Sequence, residues 1–205
     1  AQGYRGMFKD IAASAGKKVD KGAVMQSLRT GALFVDADKA APDAAGDGKL
    51  LPASQVTVLE SKGDWVKVSI DGWQQQGAER VVYALKGQRI LNAALNPELM
   101  DKVKSETGVE DPDTGLVWSK VSLQAWTHKS VLVTDRSALM AYGAEMHRSA
   151  CGTCHNLTPP EHTLANQWSG TLNAMKRFIS LDDEEYRFLQ KYLQLNAKDT
   201  GGKHG

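Results

Sequence analysis

No stretch of this 205-residue chain approaches the roughly 18–20 consecutive apolar residues that span a bilayer. The opening AQGYRGMF has neither the basic start nor the apolar middle of a secretory signal. Any signal or anchor is therefore expected to have been removed or to lie outside this chain. Charge of one sign is also missing. The 25 Lys and Arg stand against 24 Asp and Glu, leaving a net charge of +1, without the basic excess that nucleic-acid partners select. Cysteine is scarcer still. Only Cys151 and Cys154 exist, so no long-range disulfide framework can staple the fold or report a redox compartment.

What remains is ordinary globular composition, with 41% hydrophobic residues, enough at this length for one medium domain or two to three small ones. Residues 1–20 read as a tail or linker with a short helical piece, and ADKAAPDAAGDGKL (37–50) as a loop between strands. QVTVLE (55–60) and WVKVSI (65–70) alternate apolar and polar residues around SKGD, which predicts a hairpin with a Gly-containing turn. RVVYAL and QRILNAAL continue in that style. DWVKVSIDGW (64–73) aligns with VWSKVSLQAW (117–126), matching Trp65 to Trp118, Val68 to Val121 and Trp73 to Trp126. Two tandem β units, 21–78 and 79–135, follow from that alignment. The alternative is two strands of one barrel that share a pattern. The four tryptophans suit core packing, or a surface on which a ligand stacks.

After Asp135, a candidate N-cap, the period changes from 2 to 3.6. SALMAYGAEMHRSA (137–150), LANQWSGTLNAMKRF and SLDDEEYRFLQKYLQL (180–195) predict three helices. The last has a capping-box pattern at Ser180 and Asp183 and an apolar face of Leu181, Phe188, Leu189, Tyr192 and Leu193. Residues 136–205 thus form a separate helical unit, and the expected fold class is α+β multidomain.

CGTCH (151–155) carries the chemistry. A thioredoxin-like dithiol needs a preceding strand and a helix that starts at the first Cys, whereas this pair follows a helix. A structural zinc needs four ligands, so His147, His155 or His162 would have to complete the set, at no common spacing. In Cys-x-x-Cys-His, both sulfurs join haem vinyl groups as thioethers and the adjacent imidazole binds the iron. That reading uses Cys151, Cys154 and His155 together, giving one covalent haem c. His162 is seven residues past His155, His128 belongs to the β half, and His204 sits in a frayed end.

Two resemblances follow. LPASQVTVLESKGDWVKVSIDGWQQQG (51–77) resembles a bacterial SH3-like barrel, which implies an interaction or spacer module. GAEMHRSACGTCH and LDDEEYRFLQKYL resemble the first and last helices of class I cytochromes c. That likeness implies an all-α haem domain after SH3-like units, with Gly143 at the helix crossing, His147 in place of an aromatic, and Trp168 and Tyr192 in the haem pocket. It offers Met175, in a Trp-x6-Met spacing, as sixth iron ligand, with His162 as the rival. GAERVVYALKGQRI, HTLANQW and MKRF are similar to the C-terminal part of multihaem TorC/DorC-type cytochromes, which feed periplasmic trimethylamine N-oxide and dimethyl sulfoxide reductases.

This resemblance implies a periplasmic electron-transfer protein of anaerobic respiration rather than an enzyme. Its partners would be a reductase and an upstream cytochrome or quinol-linked donor. The departure is one haem motif where those cytochromes have several, and no anchor. Two further readings stay open: a haem protein with an open sixth position that reacts with peroxide or senses a gas, and an adaptor working through the β half.

Overall fold

A computed structural model describes residues 3–152 and 157–200. The chain opens with α1 (Tyr4–Ala13), then runs through seven strands: β1 (Val24–Ser27), β2 (Gly31–Leu33), β3 (Gly48–Leu50), β4 (Gln55–Lys62), β5 (Trp65–Gln75), β6 (Val81–Leu85) and β7 (Gln88–Leu95). A single helical turn, α2 (Pro97–Met100), leads to β8 (Lys104–Ser105), β9 (Val109–Glu110), β10 (Val117–His128) and β11 (Leu132–Val133). Three helices close it: α3 (Arg136–Cys151), α4 (Ala165–Met175) and α5 (Asp183–Leu195).

The β4–β5 hairpin forms where alternation predicts it. Val56, Val58, Val66, Val68 and Ile70 are buried on one face, and Gly63 turns the chain at φ 62°, a conformation that costs glycine little. The pairings then depart from two tandem units. All described strands belong to one eleven-stranded sheet in the order β11-β1-β4-β5-β6-β7-β3-β2, with β10 on the other side of β5. β5 and β10 are antiparallel neighbours from Trp65↔His128 to Gln75↔Trp118. The segments that look like repeats are therefore partners in one ladder. Phe34, just after β2, exchanges two backbone hydrogen bonds with Trp126 of β10, at 2.9 and 2.8 Å. The sheet thus curls back on itself around Met25, Leu33, Val68, Ile70, Leu95 and Leu123.

This corrects the expected α+β multidomain arrangement of SH3-like units followed by an all-α class I-like cytochrome c domain. The structure is mostly β-sheet, with helices packed against it. The physical reason is that a period-2 pattern says one face of a strand is buried and nothing about which strand lies beside it.

The helices share their core with the sheet. Leu139, Tyr142, Met146, Trp168, Phe188, Leu189 and Leu193 pack with Leu28, Ala53, Ile90 and Val133 of the β part and with Ile11 of α1. α1 shows Tyr4, Met7, Phe8 and Ile11 at helical spacing. Phe8 and Tyr142 rings lie 5.3 Å apart, and Tyr142 and Phe188 rings 4.7 Å. Arg5 clamps Glu185 through Nε at 2.9 Å and Nη2 at 3.1 Å, across 180 residues of sequence. The segment read as a tail is a wall of the helical layer.

Candidate haem-attachment site

α3 starts where Asp135 Oδ1 accepts from the Ala138 N–H at 2.9 Å, satisfying one of the helix's orphan donors. It ends at Cys151, and Gly152 closes the last turn by donating to Arg148 O at 3.0 Å. The first cysteine of the motif is thus the last helical residue, half-buried. Cys154 and His155 lie outside the described residues.

α3 meets α5 at Gly143. A β-carbon there would come within 2.6 Å of Tyr192 Cγ and 3.0 Å of Tyr192 Cβ, so glycine is what lets the two helices approach. One turn further, His147 is 4% exposed. Its ring stands edge-on to Trp168 at 6.4 Å and lies 6.4 Å from the Tyr192 ring. Burial lowers the His147 pKa and so favours the neutral imidazole. Trp168 is buried at 2% exposure and its Nε1 donates to Pro160 O at 2.9 Å. That bond ties α4 to the turn Pro160–His162. His162 is exposed there, and Met175, the last residue of α4, is 40% exposed. Gly143, His147, Trp168 and Tyr192 therefore come together, while Met175 and His162 lie at element ends near the surface.

Among the described residues, no group of three or more His, Cys, Asp or Glu is placed to hold a metal ion. The apolar surface is informative instead. Among the described residues seven large apolar side chains are exposed, and four of them, Leu157, Leu164, Met175 and Phe178, fall in the segment just after the motif. Uncovered apolar side chains concentrated there fit a segment that encloses a large, flat apolar group.

α5 is capped by Asp182, not by Ser180. Asp182 Oδ1 accepts from Glu185 N at 2.7 Å, and Glu185 Oε1 accepts from Asp182 N at 3.0 Å. Both Ser180 and Asp182 have an acid three residues on, but Glu185 also gains Arg5, a partner invisible to local pattern. Lys191 is the residue that sequence reasoning missed. It is 3% exposed, and its Nζ donates to Pro52 O at 3.0 Å, to Ser54 Oγ at 3.0 Å and to Leu91 O. Burial pushes its pKa down to about 7. The signal was its place on the apolar stripe, three residues after Phe188 and four before Leu195.

The barrel tryptophans divide. Trp118 and Trp126 are buried, whereas Trp65 is half-buried between Phe34 at 5.3 Å and His128 at 5.1 Å, both edge-on. His128 Nδ1 is bonded to Ser130 Oγ at 2.8 Å, so its ring is committed to packing and a local turn.

Compared with known proteins, residues 19–132 match the family model of the TorC third cytochrome c domain. This chain belongs to the TorC family of c-type cytochromes. The cytochrome c-type protein TorC of Escherichia coli is 38% identical over 207 residues, covering 100% of this chain and 51% of that protein. The cytochrome c-type protein TorY of Haemophilus influenzae is 34% identical over 161 residues, covering 78% of this chain and 44% of that protein. The chain thus spans about half the length of these TorC-family relatives. The TorC model covers most of the sheet and neither cysteine, while the alignment to the Escherichia coli protein takes in the whole chain, Cys-x-x-Cys-His included. No solved structure matches the chain.

Proposed function

We propose that residues 136–205 of this TorC-family chain hold one haem c, and that the chain passes single electrons in the periplasm. Its donor would be an upstream cytochrome or quinol-linked protein, and its acceptor a terminal reductase of the trimethylamine N-oxide type. The observation that carries the reading is the delivery of Cys151 by the end of α3, so that Cys-x-x-Cys-His begins where the helix stops. When bound, haem c supplies a one-electron ferric/ferrous couple.

The protein's part is attachment and enclosure. Cys151 and Cys154 would bind the porphyrin edge as thioethers, and His155 would ligate the iron. Met175 would supply the sixth ligand, its thioether favouring the ferrous state over what a second imidazole from His162 would give. Gly143 and Tyr192 set the helix crossing, and Trp168 with His147 forms a buried aromatic wall that keeps water out.

The test compares optical and EPR spectra of the haem-loaded chain with those of Met175→Ala and His162→Ala. Loss of the methionine-to-iron charge-transfer band in Met175→Ala alone is expected. A low-spin wild type that lacks this band and turns high-spin in His162→Ala, but not in Met175→Ala, would move the ligand to His162. High-spin ferric iron in the wild type, with rapid carbon monoxide binding after reduction, would replace electron transfer by a gas- or peroxide-reactive role.

A further inference from the structure

The outer face of the first hairpin is not bare surface. Val56, Val58, Val68 and Ile70 point into the barrel, which turns Gln55, Thr57, Ser69 and Asp71 outward. Thr57 lies directly across from Ser69, and Gln26 across from Gln55. These polar side chains floor a cavity of about 220 Å³ where the start of α3 and the end of α5 meet the sheet. Leu85 and Leu195 supply apolar wall.

Two groups in the cavity lack partners among the described residues. Asn92 is 6% exposed and lines the space, yet no hydrogen bond engages its side-chain amide. Its polar atoms stay within reach of water from the open side of the cavity, so a ligand there would take the place of that water. Arg136, the first residue of α3, is half-buried in the same wall and makes neither an ion pair nor a hydrogen bond through its guanidinium. Gln26, 5% exposed, spends only its Nε2 donor, on Gln55 Oε1 at 3.3 Å. Asp71 sits at the exposed rim.

We propose that this cavity binds a small amino-carboxylate, its carboxylate taken by Arg136 and Asn92 and its cationic end directed to Asp71. A planar guanidinium fork matches a carboxylate in two parallel N–H···O bonds. The amide of Asn92 adds a donor beside it, and the Thr57 and Ser69 hydroxyls can accept or donate. The space of about 220 Å³, open to solvent on one side, admits a molecule the size of glycine or alanine. The rim carboxylate opposes a dianion such as phosphate and favours a ligand with a positive end. This site is separate from the haem-attachment segment, and its test does not depend on haem.

Isothermal titration of the full chain with glycine, acetate, methylammonium and inorganic phosphate at one ionic strength tests it. Glycine is expected to bind best, acetate more weakly, and methylammonium and phosphate negligibly. Arg136→Gln should weaken glycine and acetate by about tenfold or more, since a charge-assisted pair is lost. Far-UV circular dichroism checks that the variant folds. Asp71→Asn changes an exposed side chain and should bring glycine down to the level of acetate while leaving acetate undiminished. No glycine or acetate binding at tens of millimolar overturns the proposal. So does tighter binding of phosphate, or glycine binding unaltered in either variant.

Discussion

Tyr192 lies over Gly143 so closely that a β-carbon on residue 143 would overlap the root of its side chain, at 3.0 Å from Tyr192 Cβ and 2.6 Å from Cγ. The Tyr192 Cβ cannot swing aside as a side-chain tip can, so α3 and α5 must separate to admit a methyl group. Gly143→Ala is expected to destabilise the fold by about 1–3 kcal/mol, the usual cost of overpacking. Urea denaturation of Gly143→Ala in wild-type and Tyr192→Ala backgrounds checks this, because the penalty should shrink when the ring and its Cγ are gone. An equal penalty in both would detach Gly143 from that contact.

The start of α5 gives a paired prediction. Asp182→Ala removes the acceptor for the Glu185 N–H and should cost about 1 kcal/mol. Ser180→Ala, two residues outside the cap, should change stability by less than about 0.5 kcal/mol. Thermal melts of the two variants distinguish them, and a larger loss at Ser180 would return the cap to that residue.

Lys191 predicts a pH dependence with a definite sign. Burial holds its folded pKa at about 7, below the ordinary 10.5. Between those values the unfolded chain carries a proton that the folded chain has released, so stability rises with pH across that window. The contribution is complete above the unfolded value and is lost as pH falls through about 7. Lys191→Met removes the titration, at the price of leaving Pro52 O and Leu91 O without this donor. Stability measured by urea from pH 7 to 10 should therefore climb in the wild type relative to Lys191→Met. Parallel curves would show that the ammonium is not the group responsible.

Gly72 supplies a fourth. A β-carbon there would lie 2.5 Å from Tyr83 O and 2.6 Å from Val82 Cγ1. Gly72→Ala must push β5 off β6 and should cost about 1–3 kcal/mol, with faster amide exchange expected at Trp73 and Tyr83, the residues paired there. Unchanged exchange at those amides would contradict the close approach.

Gly72 also shows where pattern stopped being informative. It aligns with Ala125 in the apparent repeat, yet Gly72 lies against the Tyr83 carbonyl while Ala125 carries the β-carbon that Gly72 has no room for. Helix α5 was legible because its apolar stripe is local. Its cap was misplaced by two residues because Glu185 is chosen partly by Arg5, 180 residues away. The short helical piece expected within residues 1–20 is α1, but its packing role was hidden by Gly, Lys and Asp among Tyr4, Met7, Phe8 and Ile11. At the candidate haem-attachment site the five-residue motif stands out in the sequence, since the chemistry proposed for it needs neighbours in sequence. Asn92 and Arg136 were not, because an outward polar residue on a strand or helix looks the same whether it faces water or a cavity.

The packing of α1 against α3 and α5 has a consequence for the order in which the chain assembles. α1 is close in space to residues that follow more than a hundred positions later, and closing so long a loop is entropically unfavourable until other contacts shorten it. The antiparallel ladders between β1 and β11 and between β5 and β10 are what shorten it. α1 is therefore placed to dock late, after the strands have paired, and the helix that bears Cys151 gains its last wall only when both ends of the chain have met.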